Sequence, residues 1–175
     1  TYTYNLNDKT AYPNDFPTSS ASSSPVKAME YMISGHPLII NAPTSCYIIA
    51  YGSDNGTTRG LFFGKTATSN NNPKDGTAYL QFPALSGYVL KKVDLTTTSG
   101  IGGSISLNIY DASWKAYSTS QSTTASTSKT FSFDLTNPQA NTAYRLSSGT
   151  SGKNIQLTKI ILTYESTSTT PGKTA

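Results

Sequence analysis

Ser104-Ile-Ser-Leu-Asn-Ile-Tyr110 sets Ile105, Leu107 and Ile109 on one side of an extended chain and Ser106, Asn108 and Tyr110 on the other. Successive side chains of a strand point to opposite faces, so this alternation describes a strand of an antiparallel sheet with one buried face. The pattern recurs outward from this stretch. Phe131, Phe133 and Leu135 alternate with Ser132 and Asp134, and Ile160, Leu162 and Tyr164 alternate with Ile161 and Thr163. Ala78, Leu80 and Phe82 form a similar set, as do Val89, Val93 and Leu95. Ile155 and Leu157 fall out of phase with Ile160, which predicts a bulge or corner between them.

The first half carries the same signal less cleanly. Tyr47-Ile-Ile-Ala-Tyr51 and Gly60-Leu-Phe-Phe-Gly64 read as strands around Asp54-Asn55-Gly56, and Asn-Gly is a strong hairpin signal. Leu38-Ile-Ile40 reads as a short buried strand after Pro37. Ser24-Pro25 has the form of a helix start, which predicts a short helix to about Met32 with Val26, Met29 and Ile33 on one face. Met29, Tyr31 and Ile33 also alternate as a strand would. Residues Thr18–Ser24, Thr66–Lys74 and Thr119–Ser128 read as polar loops. About nine or ten short strands separated by turns predict an all-β fold, a two-layer antiparallel β-sandwich of jelly-roll-like form. It is expected to be one domain over residues 1–165, with 166–175 as a linker or frayed tail.

Composition points the same way. The 175 residues include 27 Thr and 25 Ser, while Glu occurs only at Glu30 and Glu165. Helices are poorly served by such material, and half-buried pleated sheets are well served. The net charge is +4, but the thirteen Lys and Arg are scattered, with Lys91-Lys92 the only adjacent pair. Nucleic-acid binding needs a clustered basic stripe, so no nucleic-acid partner is expected. Cys46 is the only cysteine, which excludes an intramolecular disulfide and a multi-cysteine zinc site. Apolar runs are only a few residues long, so no membrane insertion is expected. A charge-poor, Ser/Thr-rich surface predicts a secreted or cell-surface protein. A bacterial protein of that kind would need no disulfide, and it would be compatible with lipid anchoring through a removed N-terminal segment.

The familiar catalytic constellations find little to work with. A Ser-His-Asp or Cys-His arrangement needs an imidazole, and the sole histidine is His36 in a Gly-His-Pro turn. Nucleophile-elbow, phosphate-loop and zinc-helix motifs are absent from the chain. Two carboxylates suffice for a glycosidase, and Asp111 and Asp134 are the nearest to clear strands. Against that chemistry, Asp111 also reads as the start of a turn and Asp134 as a solvent-facing strand residue. No cofactor is expected. A structural calcium would draw on Asp54-Asn55 or Asp75 with nearby carbonyls, without EF-hand spacing.

Binding has better material. Large aromatics beside polar groups suit the apolar face of a sugar ring at low entropic cost. Tyr110-Asp-Ala-Ser-Trp-Lys-Ala-Tyr117 carries Trp114, the only tryptophan, in a polar loop with Lys115 and Tyr117 nearby. Either Trp114 stands out as a platform or it folds back to cap an open end of the sandwich. The hairpin with Tyr51 and Arg59 is a second candidate, because a guanidinium forks onto hydroxyls or a carboxylate.

Gly60-Leu-Phe-Phe-Gly-Lys65, Tyr79-Leu-Gln-Phe-Pro83, Gly87-Tyr-Val-Leu-Lys-Lys-Val93, Asn141-Thr-Ala-Tyr-Arg-Leu146 and Leu157-Thr-Lys-Ile-Ile-Leu-Thr-Tyr-Glu165 come in a familiar order. With the two strands quoted first, this rhythm over residues 60–165 resembles exported all-β modules of Bacteroides-type gut bacteria. The resemblance implies a carbohydrate-binding jelly roll attached to surface proteins that handle glycans, and it supplies no functional residues. The functional expectation is a non-catalytic glycan-binding module, with a polysaccharide or glycan and other domains of a larger surface protein as partners. Two alternatives stay open: a structural or adhesive domain of a surface assembly, and a two-carboxylate glycoside hydrolase.

Overall fold

A computed structural model of the chain describes residues 1–17, 26–42, 47–54, 57–64, 78–97, 105–123, 129–147 and 154–167. The strands are β1 (Tyr2–Asn5), β2 (Val26–Ile33), β3 (His36–Ala42), β4 (Tyr47–Asp54), β5 (Thr57–Gly64) and β6 (Tyr79–Gln81). They continue with β7 (Tyr88–Thr97), β8 (Ile105–Tyr110), β9 (Gln121–Thr123), β10 (Lys129–Asp134), β11 (Arg145–Ser147) and β12 (Asn154–Ser166). Among the described residues a single 3-10 turn, Lys9–Ala11, is capped by the Asp8 carboxylate, which accepts from the Thr10 N–H at 2.9 Å.

Two antiparallel sheets result. The first runs β10-β7-β12-β5-β4, with β1 also paired to β12, and the second runs β2-β3-β6-β11-β8-β9. The alternation read from the sequence becomes the two inner faces. Val93, Leu95, Phe133, Ile160 and Leu162 from the first sheet join Leu38, Ile40, Leu80, Leu107, Ile109 and Leu146 from the second in one core. Each such side chain removed from water contributes roughly 1.5–3 kcal/mol. The fold is therefore the antiparallel β-sandwich that the patterning predicts.

The phase break before Ile160 is a bulge, with the β12–β7 register shifting between Leu157 and Lys159. That extra residue lets Ile155, Leu157, Ile160 and Leu162 all reach the core with no exposure. It also divides one edge of β12, whose residues 154–157 pair with β5 and 159–162 with β1.

The predicted helix ending near Met32 is a strand instead. β2 and β3 form a hairpin in which Ile33 faces His36 across Ser34 and Gly35, at φ +54° and +78°. Two successive positive φ values are the signature of a type I′ turn. Tyr31 and Ile33 are buried, whereas Met29 and Met32 are exposed. The two-residue alternation prevails over the helical stripe because the paired edge of β3 satisfies the β2 backbone, which no local signal reveals. A bulge between Val26 and Met29, with Ala28 at φ +49°, kinks this edge strand.

The stretch read as a polar loop from Thr119 contains β9, which extends the second sheet by pairing with β8. Residues 124–128 lie outside the described residues. The C-terminal strand reaches Ser166, and the Thr167 N–H donates to Gly87 O at 2.9 Å.

Candidate binding face

The residues of the second sheet that do not enter the core line up on its outer face. On β6, Leu80 points inward while Tyr79 and Gln81 point out; on β11, Leu146 is inward and Arg145 outward. Register then places Glu30, Ile39, Gln81, Arg145 and Tyr110 in one row across β2, β3, β6, β11 and β8. Asn41 and Tyr79 face each other in the adjacent row, as do Ser147 and Asn108.

Trp114 is brought onto this face by its own loop. The Asp111 carboxylate accepts from the backbone N–H groups of Ser113 at 2.8 Å and Lys115 at 3.0 Å. The Asp111 N–H donates to Lys115 O, and the Trp114 N–H donates to Asp111 O, both at 3.0 Å. This closed loop holds Trp114 at φ +64°, a left-handed conformation that costs a side-chain-bearing residue roughly 1–2 kcal/mol. The half-buried indole lies edge-on to Tyr79, with centroids 5.7 Å apart at 74°, and to Tyr110, 5.6 Å apart at 64°. Burial pushes the Tyr110 phenol above its ordinary range.

Arg145 completes the cluster. Its guanidinium carbon sits 4.1 Å from the Tyr79 ring centroid and 5.1 Å from that of Trp114. Its Nε donates to Gln81 Oε1 at 2.8 Å. Each ring contributes a cation–π attraction of about 0.5–2 kcal/mol, so the planar cation is held against the two rings and the amide. Beside it, a groove of about 400 Å³ is lined by Glu30, Pro37, Ile39, Gln81, Pro83 and Leu85 among others. Gln81 belongs to both, so groove and aromatic cluster are neighbours on one face.

The residues singled out from the sequence are distributed differently than expected. Trp114 neither stands free nor caps an end of the sandwich; it folds back over the outer face of the second sheet. Tyr117 is turned into the core, 8% exposed, with its ring 4.9 Å from Tyr144 in an edge-on contact. Burial, and after it Asp111, raises its phenol above the ordinary value. Lys115 is exposed with its ammonium 5.0 Å above the Tyr117 ring. Tyr51 and Arg59 belong to the β4–β5 hairpin of the first sheet, Tyr51 opposite Gly60, so their strands are not neighbours of Trp114's.

Asp54 pairs with Thr57, while Asn55, Gly56, Asp75 and Cys46 lie outside the described residues. Of the two acids considered for catalysis, Asp111 closes the Trp114 loop, and Asp134 is exposed opposite Lys92. His36 stacks on Tyr2, centroids 4.0 Å apart and 16° from parallel. Among the described residues, no three of His, Cys, Asp or Glu are grouped as a metal site would require.

Sequence reasoning missed Tyr79, Gln81, Tyr110, Arg145 and Glu30 as a group. The available signal was their phase. Aromatic and amide side chains at positions alternating with core residues must lie on the outer face.

The sequence matches no protein-family model and no curated protein. Solved structures resemble it at low identity. One holds the CBM22-1 and GH10 modules of endo-1,4-β-D-xylanase 10B from Clostridium thermocellum, complexed with xylohexaose, at 12% identity and a TM-score of 0.48. It matches 95% of this chain, which spans about 28% of that protein's length. A second is the CBM22-1 xylan-binding domain of a Paenibacillus barcinonensis protein, at 11% identity and TM-score 0.44, covering 71% of this chain and 85% of that one. A third is the second N-terminal cellulose-binding domain of β-1,4-glucanase C from Cellulomonas fimi, at 8% identity and TM-score 0.39, covering 83% and 99%. Overlaps this loose carry no weight for function.

Proposed function

We propose that the chain is a non-catalytic glycan-binding module whose ligand lies across the outer face of the second sheet. The observation that carries this reading is Trp114, held in a left-handed backbone conformation over Tyr79, Tyr110 and Arg145. Conformational cost of that kind collects at functional sites, where the surroundings over-determine it. The cluster offers an aromatic surface beside a hydrogen-bonding fork, and the adjoining groove offers an amide, a carboxylate and apolar walls. Such a mixture suits a sugar ring, with its apolar C–H face and polar rim.

The Ser- and Thr-rich composition, with few charges, supports an exported or cell-surface setting and attachment to further domains of a larger protein. This is the setting of the Bacteroides-type modules that the chain resembles.

The test is fluorescence titration of the single tryptophan against neutral and acidic plant and mucin-type polysaccharides, with Trp114→Ala tested in parallel by affinity electrophoresis. A saturable spectral shift with one glycan, and loss of retardation in the variant, is the expected result. An unresponsive indole together with unretarded migration in every glycan sinks the reading. It would favour a structural or adhesive domain instead, whose contact surface would be the β2 edge, where Met29 and Met32 are 51% and 53% exposed.

A further inference from the structure

We infer that the preferred glycan is anionic, and that Arg145 is the residue that receives its carboxylate. This rests on the glycan-binding reading above and names the ligand's chemistry within it. Arg145 is half-buried, and its Nε is committed to Gln81 at 2.8 Å, yet among the described residues no carboxylate pairs with it. The ring centroids of Tyr79 and Trp114 lie 4.1 and 5.1 Å from its guanidinium carbon, and the rings shield it in part from water. The hydrogen bond that Arg145 makes among the described residues is at Nε, which leaves its Nη groups for a further partner.

A guanidinium is always charged and presents parallel N–H groups matched to the two oxygens of a carboxylate. With a carboxylate both partners are ionised and the pair is bidentate, which adds energy and geometric specificity that a single neutral hydroxyl cannot supply. Among the described residues, neither of the two acids nearest this cluster fills the role. The Asp111 carboxylate accepts from the backbone N–H groups of Ser113 and Lys115. Glu30 stands three strands away in the same row, roughly 14 Å by strand spacing, which exceeds the screening length at physiological salt. The face is therefore polar along its length, positive at the aromatic cluster and negative at the far wall of the groove. A sugar acid whose ring lies on Trp114 would place its carboxylate against Arg145, and its neighbours along the chain would offer hydroxyls to Gln81 and Glu30.

The experiment compares polygalacturonate and glucuronoxylan with the same polymers after their carboxyls have been reduced to primary alcohols. Reduction keeps linkage and ring while removing charge. Calorimetric titration of the full chain is expected to show the acidic form of at least one polymer binding about tenfold more tightly than its reduced form. That preference is expected to collapse in Arg145→Gln and to survive in part in Arg145→Lys.

Equal affinity for both forms overturns the inference and leaves the glycan-binding reading intact. Binding of neither form, nor of any neutral polysaccharide, removes both. A preference undiminished in a folded Arg145→Gln also overturns it, by assigning the effect to dispersed surface lysines. Should that variant fail to fold, Arg145→Lys decides: a preference undiminished there overturns the inference.

Discussion

Trp114 concentrates the residue-scale argument. Its φ of +64° belongs to the region where a Cβ collides with the neighbouring carbonyl and glycine alone escapes the cost. Two truncations therefore separate its backbone strain from its side-chain packing. Trp114→Ala loses the ring contacts and keeps the strain, while Trp114→Gly loses the same contacts and relieves it. The glycine variant is expected to be more stable than the alanine variant by about 1 kcal/mol in urea unfolding, the reverse of the order in an ordinary strand. Both are expected to lose glycan binding. Equal stabilities, or a more stable alanine variant, would show that the loop does not hold this residue left-handed.

At the scale of elements, β12 organises the first sheet, and one glycine governs how closely β5 approaches it. A Cβ built on Gly60 would lie 2.5 Å from the Leu157 carbonyl oxygen and 3.1 Å from Gln156 Cγ. The first of these is backbone inside a paired strand and cannot step aside cheaply. Gly60→Ala is expected to cost about 2–3 kcal/mol, read as a lowered urea midpoint, because the β5–β12 pairing must open to admit a methyl group. Ala28 supplies the contrast, with a positive φ on exposed β2, where Ala28→Gly is expected to be neutral or mildly stabilising. The bulge at Leu157–Lys159 was legible because it leaves a phase break in the apolar pattern. The glycine contact was not, since it depends on which strand lies beside β5.

Across the whole molecule, buried and half-buried phenols tie the sandwich together. Tyr4 of β1 donates to Pro37 O on β3 at 2.7 Å, and Tyr164 of β12 donates to Pro83 O just after β6, also at 2.7 Å. Both bonds run from the first sheet to the second. Tyr12 donates to Leu6 O at 2.6 Å. Burial, foremost, pushes all three phenols well above their ordinary value near 10. The folded state therefore keeps protons that the unfolded chain releases, so stability falls as pH rises. The contribution is complete below about pH 10 and is lost progressively above it as the folded-state values are approached. Thermal unfolding is expected to shift steeply downward on that alkaline side, with cooperative appearance of phenolate absorbance. In Tyr4→Phe plus Tyr164→Phe the slope should be shallower, at a neutral-pH cost of about 1 kcal/mol per lost bond. Phenolate absorbance titrating fully near pH 10 while the protein stays folded would refute the assignment.

By itself the sequence determined the fold class and most of the core. A strand's side chains alternate by covalent geometry, and Leu107, Ile109, Phe133, Ile160 and Leu162 declare themselves by phase and apolarity. The strand β7 departs from this, because its register with β12 shifts at Lys91 and puts Leu90, not the expected Val89, in the core. Trp114 was legible too, as a lone indole in a polar loop. Only the tertiary structure decided what that indole meets. Tyr79, Gln81, Tyr110 and Arg145 come from strands whose neighbours are set by sheet order, with Gln81 and Arg145 64 residues apart in the chain. Sheet order depends on how two faces pack and how edges pair, and no short stretch of sequence encodes it. The same dependence turned the expected helix into β2, since its partner edge on β3 outweighed a local preference worth less than the pairing it gained.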